Sequence, residues 1–304
     1  MTTLDNTNIS KHLGKTSAYI KQYDPSLLVR ELRSSNREHL DISDDKLPFC
    51  GYDVWNAYEV SCLNSNGLPI TCVAKITYPA SSKYIVESKS LKLYLNSFNM
   101  TYFTLYKPEE VCLALESIII NDLSAYLETR VTVKLFDPCK TITSYTSVIA
   151  DLPEYITLER ATGNMRTECN IYSESPDLIK SNDNTCSTTT QKYHSSLLKS
   201  NCRVTGAPDW GDVYIHYRGS HTIDSSSLLK YIVSFRDENH FHEEICETIY
   251  KRLFDRLKPD ELMVCCLYVR RGGIDINPTR ANKPELIYPV FTNASEEYFK
   301  TTRQ

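Results

Sequence analysis

No Gly-x-Gly-x-x-Gly follows a strand-like run in this sequence, and only nine of its 304 residues are glycine. A Rossmann dinucleotide crevice is therefore not indicated, and any nucleotide must be held in another way. No apolar run approaches the roughly 18 residues that a membrane span requires. The first residues, Met1-Thr2-Thr3-Leu4-Asp5-Asn6, are polar and carry no apolar leader core, so the expected compartment is the cytoplasm and no membrane partner is expected. Eleven cysteines contain no Cys-x-x-Cys pair, which reads as reduced thiols and neither a disulfide framework nor a zinc ribbon. The net charge of −4 argues against direct nucleic-acid or anionic-membrane binding, while leaving room for a local basic pocket.

What is present fits a globular protein of two domains or one large one, with 41% hydrophobic and 24% charged residues. Cys62, Cys72, Cys112, Cys265 and Cys266 sit in apolar, periodic segments and read as small hydrophobes. Asp53–Leu63 and Gly67–Tyr78 alternate like paired strands, Pro108–Tyr126 has helical periodicity, and Arg130–Phe136 reads as another strand. Farther on, Val213–Tyr217 is strand-like, His240–Leu257 helical and Leu262–Arg270 a strand.

Ser90, Leu91, Tyr94, Ser97 and Phe98 recur 137 positions later as Ser227, Leu228, Tyr231, Ser234 and Phe235. Two copies of a β-β-α-α-β-like unit predict an α+β protein with antiparallel sheets and helices packed on one face. Ser181–Gln191, dense in Ser, Thr, Asn and Asp, is expected to be a linker or exposed loop. The expected division is an N-terminal extension (1–45), a first unit (46–140), a linker or insert (141–195) and a second unit (196–304).

Several residue types carry possible chemistry. Glu87 precedes an amphipathic helix whose first turns hold Lys89 and Lys92, cations that oppose the helix dipole unless an anion sits there. Cys202 lies in a polar, turn-like stretch with Lys199 and Arg203 nearby, and cations favour the nucleophilic thiolate. Asp209 follows after Gly206-Ala207-Pro208, a turn able to fold it back toward the sulfur as a proton donor. By residues alone, a buried structural cysteine beside a turn aspartate is the commoner reading of such a pair. His240 and His242 face apart on a helix, and no third ligand at suitable spacing follows, so no metal is expected. Arg270-Arg271-Gly272-Gly273 ends a strand with two cations and two glycines, a composition that suits phosphate or a plain basic turn.

Glu87-Ser88-Lys89-Ser90 resembles the signature of QueF, the NADPH-dependent nitrile reductases of queuosine biosynthesis. Leu47-Pro48-Phe49, Asp53-Val54-Trp55, Leu198-Lys199-Ser200-Asn201-Cys202, Pro208-Asp209-Trp210, Phe241-His242-Glu243 and Arg270 to Pro278 follow in the order of that family's long, single-chain form. The resemblance implies tandem tunnelling-fold domains, a homodimer, and reduction of 7-cyano-7-deazaguanine to its 7-aminomethyl counterpart with two NADPH. It implies Cys202 as the nucleophile forming a thioimide, Asp209 as the acid and His242 in proton delivery. It implies Val86, Glu87, Ser88, Phe241, His242 and Glu243 at the substrate, and Ser88, Lys89, Arg271 and Gly272 at the cofactor. A carboxylate suits the lactam-amidine edge of a deazaguanine because it accepts two parallel N–H bonds. Two other readings share such a fold: a cyclohydrolase-like hydrolase acting on a purine or pterin, and a catalytically silent purine-binding protein.

Overall fold

The computed structural model of the protein describes residues 20–137, 154–161, 167–183, 187–288 and 303–304. Its first half contains β1 (Arg30–Leu32), α1 (Ser34–Arg37), β2 (Cys50–Leu63), β3 (Pro69–Pro79), β4 (Tyr84–Val86), α2 (Ser88–Ser97), α3 (Pro108–Leu127) and β5 (Thr132–Phe136). Then come β6 (Ile156–Thr157), α4 (Leu158–Ala161), β7 (Ser181–Asp183), β8 (Thr189–Cys202), β9 (Pro208–Gly219) and β10 (His221–Ile223). The last elements are α5 (Ser225–Ser234), β11 (Asn239–His240), α6 (His242–Leu257), β12 (Glu261–Tyr268) and β13 (Ile274–Ala281).

One sheet runs through both halves in the order β11-β8-β9-β12-β13-β2-β3-β5, with β6 also beside β8. Its long pairings are antiparallel; only the short β6 and β11 lie parallel to β8. The halves join where β13 pairs with β2 along Ile274–Ala281. There the backbones approach so closely that a Cβ on Gly51 would lie 2.0 Å from the Thr279 carbonyl oxygen, and only glycine fits without displacement.

Alternation explains the two main cores. Trp55, Ala74, Ile76, Ile274 and Ile276 pack with Leu91 and Tyr94 of α2 and Leu115 and Ile119 of α3. Val213, Ile215, Val264 and Cys266 pack with Leu228 of α5 and Ile245 and Ile249 of α6. Val264 lies opposite Arg280 on β13, four residues along from Ile276, and side chains an even number of residues apart share a face of the pleat. The four longer helices among the described residues, α2, α3, α5 and α6, therefore cover one face of one sheet, an α+β arrangement dominated by antiparallel pairing. No helix among the described residues is long and apolar enough to cross a membrane.

The 137-residue echo reaches beyond the five identities. It relates β4 to β10, α2 to α5 and the helix caps Glu87 and Asp224. Its residues repeat local tasks: Ser90 Oγ accepts from Val29 N at 3.0 Å and Ser227 Oγ from Lys180 N at 3.0 Å. Ser97 and Ser234 donate back to the carbonyls of Tyr94 and Tyr231. β2 and β8 each carry an irregularity, at Ala57/Val60 and Ser195/Leu198.

Some expectations need correction. The Ser181–Gln191 stretch is not all loop, since it contributes β7 and the start of β8. Cys202 ends that strand, whose alternation is masked because the buried positions include the polar Ser195 and Ser200 and the register shifts between Ser195 and Leu198. The helix predicted from His240 starts at His242, because His240 pairs with Cys202 in β11. The strand predicted over Leu262–Arg270 is Glu261–Tyr268. Cys112 is only half-buried, its sulfur 3.2 Å from that of Cys72, and all nine cysteines among the described residues are free. Much of the expected 141–195 linker, at 141–153, 162–166 and 184–186, lies outside the described residues.

Candidate active site

A pocket of about 270 Å³ opens between the N-terminal ends of α2 and α6. Trp55, Ile85, Val86, Ile274 and Ile276 give it an apolar wall, and Glu87, Cys202, Asp209, His242, Glu243 and Arg271 bring the polar groups. The two halves supply different parts. β4 and α2 carry Val86 through Lys89, whereas the end of β8 and the start of β9, on either side of their turn, carry Cys202 and Asp209, and the start of α6 carries Phe241 through Glu243.

Glu87 has extended backbone and caps α2, its two carboxylate oxygens accepting from Lys89 N at 2.9 Å and Ser90 N at 2.7 Å. The anion expected near Lys89 and Lys92 is thus supplied in part by the chain itself. An ionised carboxylate has about four lone-pair sites, so Glu87 retains capacity for a ligand. Glu243 lies in the first turn of α6 and is 4% exposed. Burial, reinforced by the charge of Asp53, pushes its carboxyl up to about 7 against the opposing influence of His242 and Arg33. Its Oε1 is buried without a hydrogen-bond partner, an acceptor of the kind that a bound N–H would satisfy.

Cys202 is half-buried at the end of β8, where its N–H donates to the Ala207 carbonyl at 2.8 Å and its own carbonyl accepts from Gly206 N at 2.9 Å. Gly206 takes φ +66°, which closes the turn. Burial would raise the Cys202 thiol, but hydrogen bonds from the Thr205 hydroxyl and from the Thr205 and Val204 backbone outweigh it and lower the thiol below its ordinary value. Asp209 is 4% exposed on β9. Burial alone would raise its carboxyl, yet His242 and Arg271 hold it below the usual carboxylate range. Arg271 NH1 donates to Asp209 Oδ1 in a short contact, and His242 Nε2 lies 3.4 Å from Asp209 Oδ2. The imidazole stacks on Tyr268 with centroids 3.9 Å apart, and its Nε2 makes no aligned hydrogen bond.

α6 is held in place from beneath. Glu247, one turn beyond Glu243, receives Arg37 Nε and NH2 at 2.8 Å each and Arg280 Nε at 3.0 Å. Arg280 also pairs with Asp53 at 2.8 Å, and Asp53 with Arg33. These side chains are buried, and they tie α6 to β2, β13 and the segment expected as a mere N-terminal extension.

For a cofactor, the mouth of the pocket offers Ser88, Lys89, Lys92, Arg271 and Gly272. Gly272 and Gly273 have φ +57° and +81°, and a Cβ on Gly272 would lie 3.1 Å from Lys92 Nζ. The positive φ at both positions disfavours any side chain there, and the neighbouring cations make a donor set that suits phosphate. Among the described residues, no three His, Cys, Asp or Glu side chains group as metal ligands.

All the residues singled out for substrate and cofactor line this one pocket. Thr205 was missed, although a hydroxyl three residues beyond a turn cysteine lies within local reach of it. His240, expected to point away on a helix, lines the pocket from β11, with Nδ1 2.9 Å from Glu244 and Nε2 3.0 Å from Glu238.

Comparison with known proteins gives two family matches: "Nitrile reductase, 7-cyano-7-deazaguanine-reductase N-term" over residues 19–135, and "QueF-like protein" over residues 208–285. A protein of Desulfotalea psychrophila is 40% identical over 286 residues, covering 92% of this chain and 96% of its own. One of Rickettsia canadensis is 43% identical over 271 residues, covering 88% of this chain and 92% of its own. Both are named NADPH-dependent 7-cyano-7-deazaguanine reductase. A solved structure, an apo archaeosine synthase QueF-Like, aligns with 31% of this chain and 92% of its own at 17% identity and a TM-score of 0.28, too little to carry an argument.

Proposed function

The chain belongs to the QueF family and is an NADPH-dependent 7-cyano-7-deazaguanine reductase of queuosine biosynthesis; from that premise we propose that its pocket works through a covalent thioimide on Cys202. The observation that carries this reading is the convergence of Cys202, Asp209, His242, Glu87 and Glu243 in one pocket. The carboxylates of Glu87 and Glu243 accept the N–H groups of the guanine-like edge, and Phe241 offers a stacking face to the planar ring.

A nitrile carbon is electrophilic but resists direct hydride attack, so the sulfur adds first. The lowered thiol of Cys202 favours this addition. Asp209, held ionised, takes the thiol proton and passes it to the nitrile nitrogen as the Sγ–C bond forms. S–H and one C–N π bond break, N–H and S–C form, and the carboxylate is restored. Asp209 thus acts as base and then acid within one step. His242, beside it, replenishes the proton in the later reduction steps.

NADPH, when bound, supplies the hydrides that take the thioimide to the amine. Ser88, Lys89, Arg271 and Gly272 hold its phosphates in this reading, and the pocket's apolar wall keeps water from the thioimide. We read residues 46–140 and 196–304 as tandem tunnelling-fold units, assembled as a homodimer. Intact-protein mass spectrometry of wild type and Cys202→Ala with the nitrile, with and without NADPH, tests the mechanism. A wild-type-only adduct of the nitrile's mass, cleared by NADPH with release of the amine, is expected; amine formation by Cys202→Ala would overturn it.

A further inference from the structure

Arg203 directly follows the nucleophile yet has no part in the chemistry above. Its guanidinium carbon lies 5.6 Å from the centre of the Phe241 ring, within cation–π range. Its NH1 donates to Asn36 Oδ1 in a short contact and lies 3.5 Å from Glu244 Oε2. Glu244 is 3% exposed and acts as a node. Its Oε2 accepts from Phe241 N at 3.4 Å, and its Oε1 lies 2.9 Å from His240 Nδ1. Asn36 belongs to α1 and is buried. One side chain therefore links the nucleophile's turn, the first turn of α6 and the N-terminal segment.

A phenylalanine at the mouth of a helix keeps rotameric freedom unless something packs on its ring. Arg203 packs on Phe241, while Glu244 fixes the backbone that carries it. We propose that Arg203 is a positioning residue that locks the Phe241 ring as a preset stacking face and ties that face to the turn bearing Cys202. Stacking then delivers the nitrile carbon to the sulfur at a fixed separation, and small misplacements of reacting atoms are costly. Arg203 suits this task better than lysine would, since a planar guanidinium can stack on the ring and still donate in its own plane to Asn36 and Glu244. The proposal rests on the reading of Phe241 as the substrate's stacking surface.

The test compares wild type, Arg203→Met, Arg203→Lys, Phe241→Leu and the Arg203→Met/Phe241→Leu double variant. It reads steady-state kinetics, the rate of adduct formation without NADPH, and thermal melting. Arg203→Met is expected to raise KM for 7-cyano-7-deazaguanine and slow adduct formation by about tenfold, with KM for NADPH changed by less than about twofold. Arg203→Lys should fall between. In the Phe241→Leu background, adding Arg203→Met should change KM for the nitrile by less than about twofold, because the ring through which it acts is gone. An Arg203→Met effect that persists in full without the ring, or a folded Arg203→Lys and Arg203→Met with wild-type kinetics, overturns the proposal. Wild type that forms neither adduct nor amine defeats the thioimide reading itself, a result distinct from failure of the Arg203 variants alone.

Discussion

Glu243 should make substrate affinity depend on pH in a defined direction. Its carboxyl, pushed up to about 7 by burial and by Asp53, is about half ionised at pH 7 and about one-tenth ionised at pH 6. Parallel N–H donors from the bound base favour the ionised form and pull the value down in the complex. Affinity should therefore be level above about pH 8, weaken through pH 7, and be about tenfold lower at pH 6, or ~1.4 kcal/mol. Glu243→Gln should flatten that profile and weaken binding at pH 8 by about 1.5–3 kcal/mol, the worth of a hydrogen bond to a charged group. Calorimetry with Cys202→Ala protein stops the chemistry at binding, and titration in buffers of different ionisation heat should report release of about half a proton at pH 7. Constant affinity from pH 6 to 8, or a pH profile unchanged in Glu243→Gln, would refute the reasoning.

Three further outcomes are expected. Thr205→Val removes the hydroxyl that helps lower the Cys202 thiol, so the pH midpoint of Cys202 alkylation by iodoacetamide should rise; an unmoved midpoint would leave the backbone N–H groups as the whole cause. Arg271→Met takes a cation from Asp209, whose carboxyl then rises toward its ordinary value, and the acidic limb of adduct formation should shift to higher pH in cofactor-free protein while KM for NADPH rises. An unshifted limb would separate Arg271 from the acid–base step. Arg280→Met leaves Asp53 and Glu247 buried with less compensation and should cost about 3–5 kcal/mol, read as a fall in Tm and urea midpoint; an unchanged midpoint would mean that Arg33 and Arg37 suffice.

The sequence by itself determined what depends on neighbours along the chain. Leu91, Tyr94, Leu95 and Phe98 share a buried face because helical spacing places them there. The echo at 137 residues was legible because the repeated serines and tyrosines do the same local work in both copies. Family motifs marked Cys202, Asp209, His242 and Glu243, since each sits in a short local signature. Tertiary structure decided what depends on long-range pairing. That one sheet continues from β13 into β2 rests on an edge contact between residues more than 200 positions apart. That Arg37 grips Glu247 across 210 residues follows from two distant segments burying charge against each other, which no local pattern announces. Cys202 ended a strand because partners on both sides supplied hydrogen bonds that its polar sequence did not advertise. The raised carboxyl of Glu243 and the lowered one of Asp209 are likewise properties of what folding brings near them, burial in one case and two cationic partners in the other.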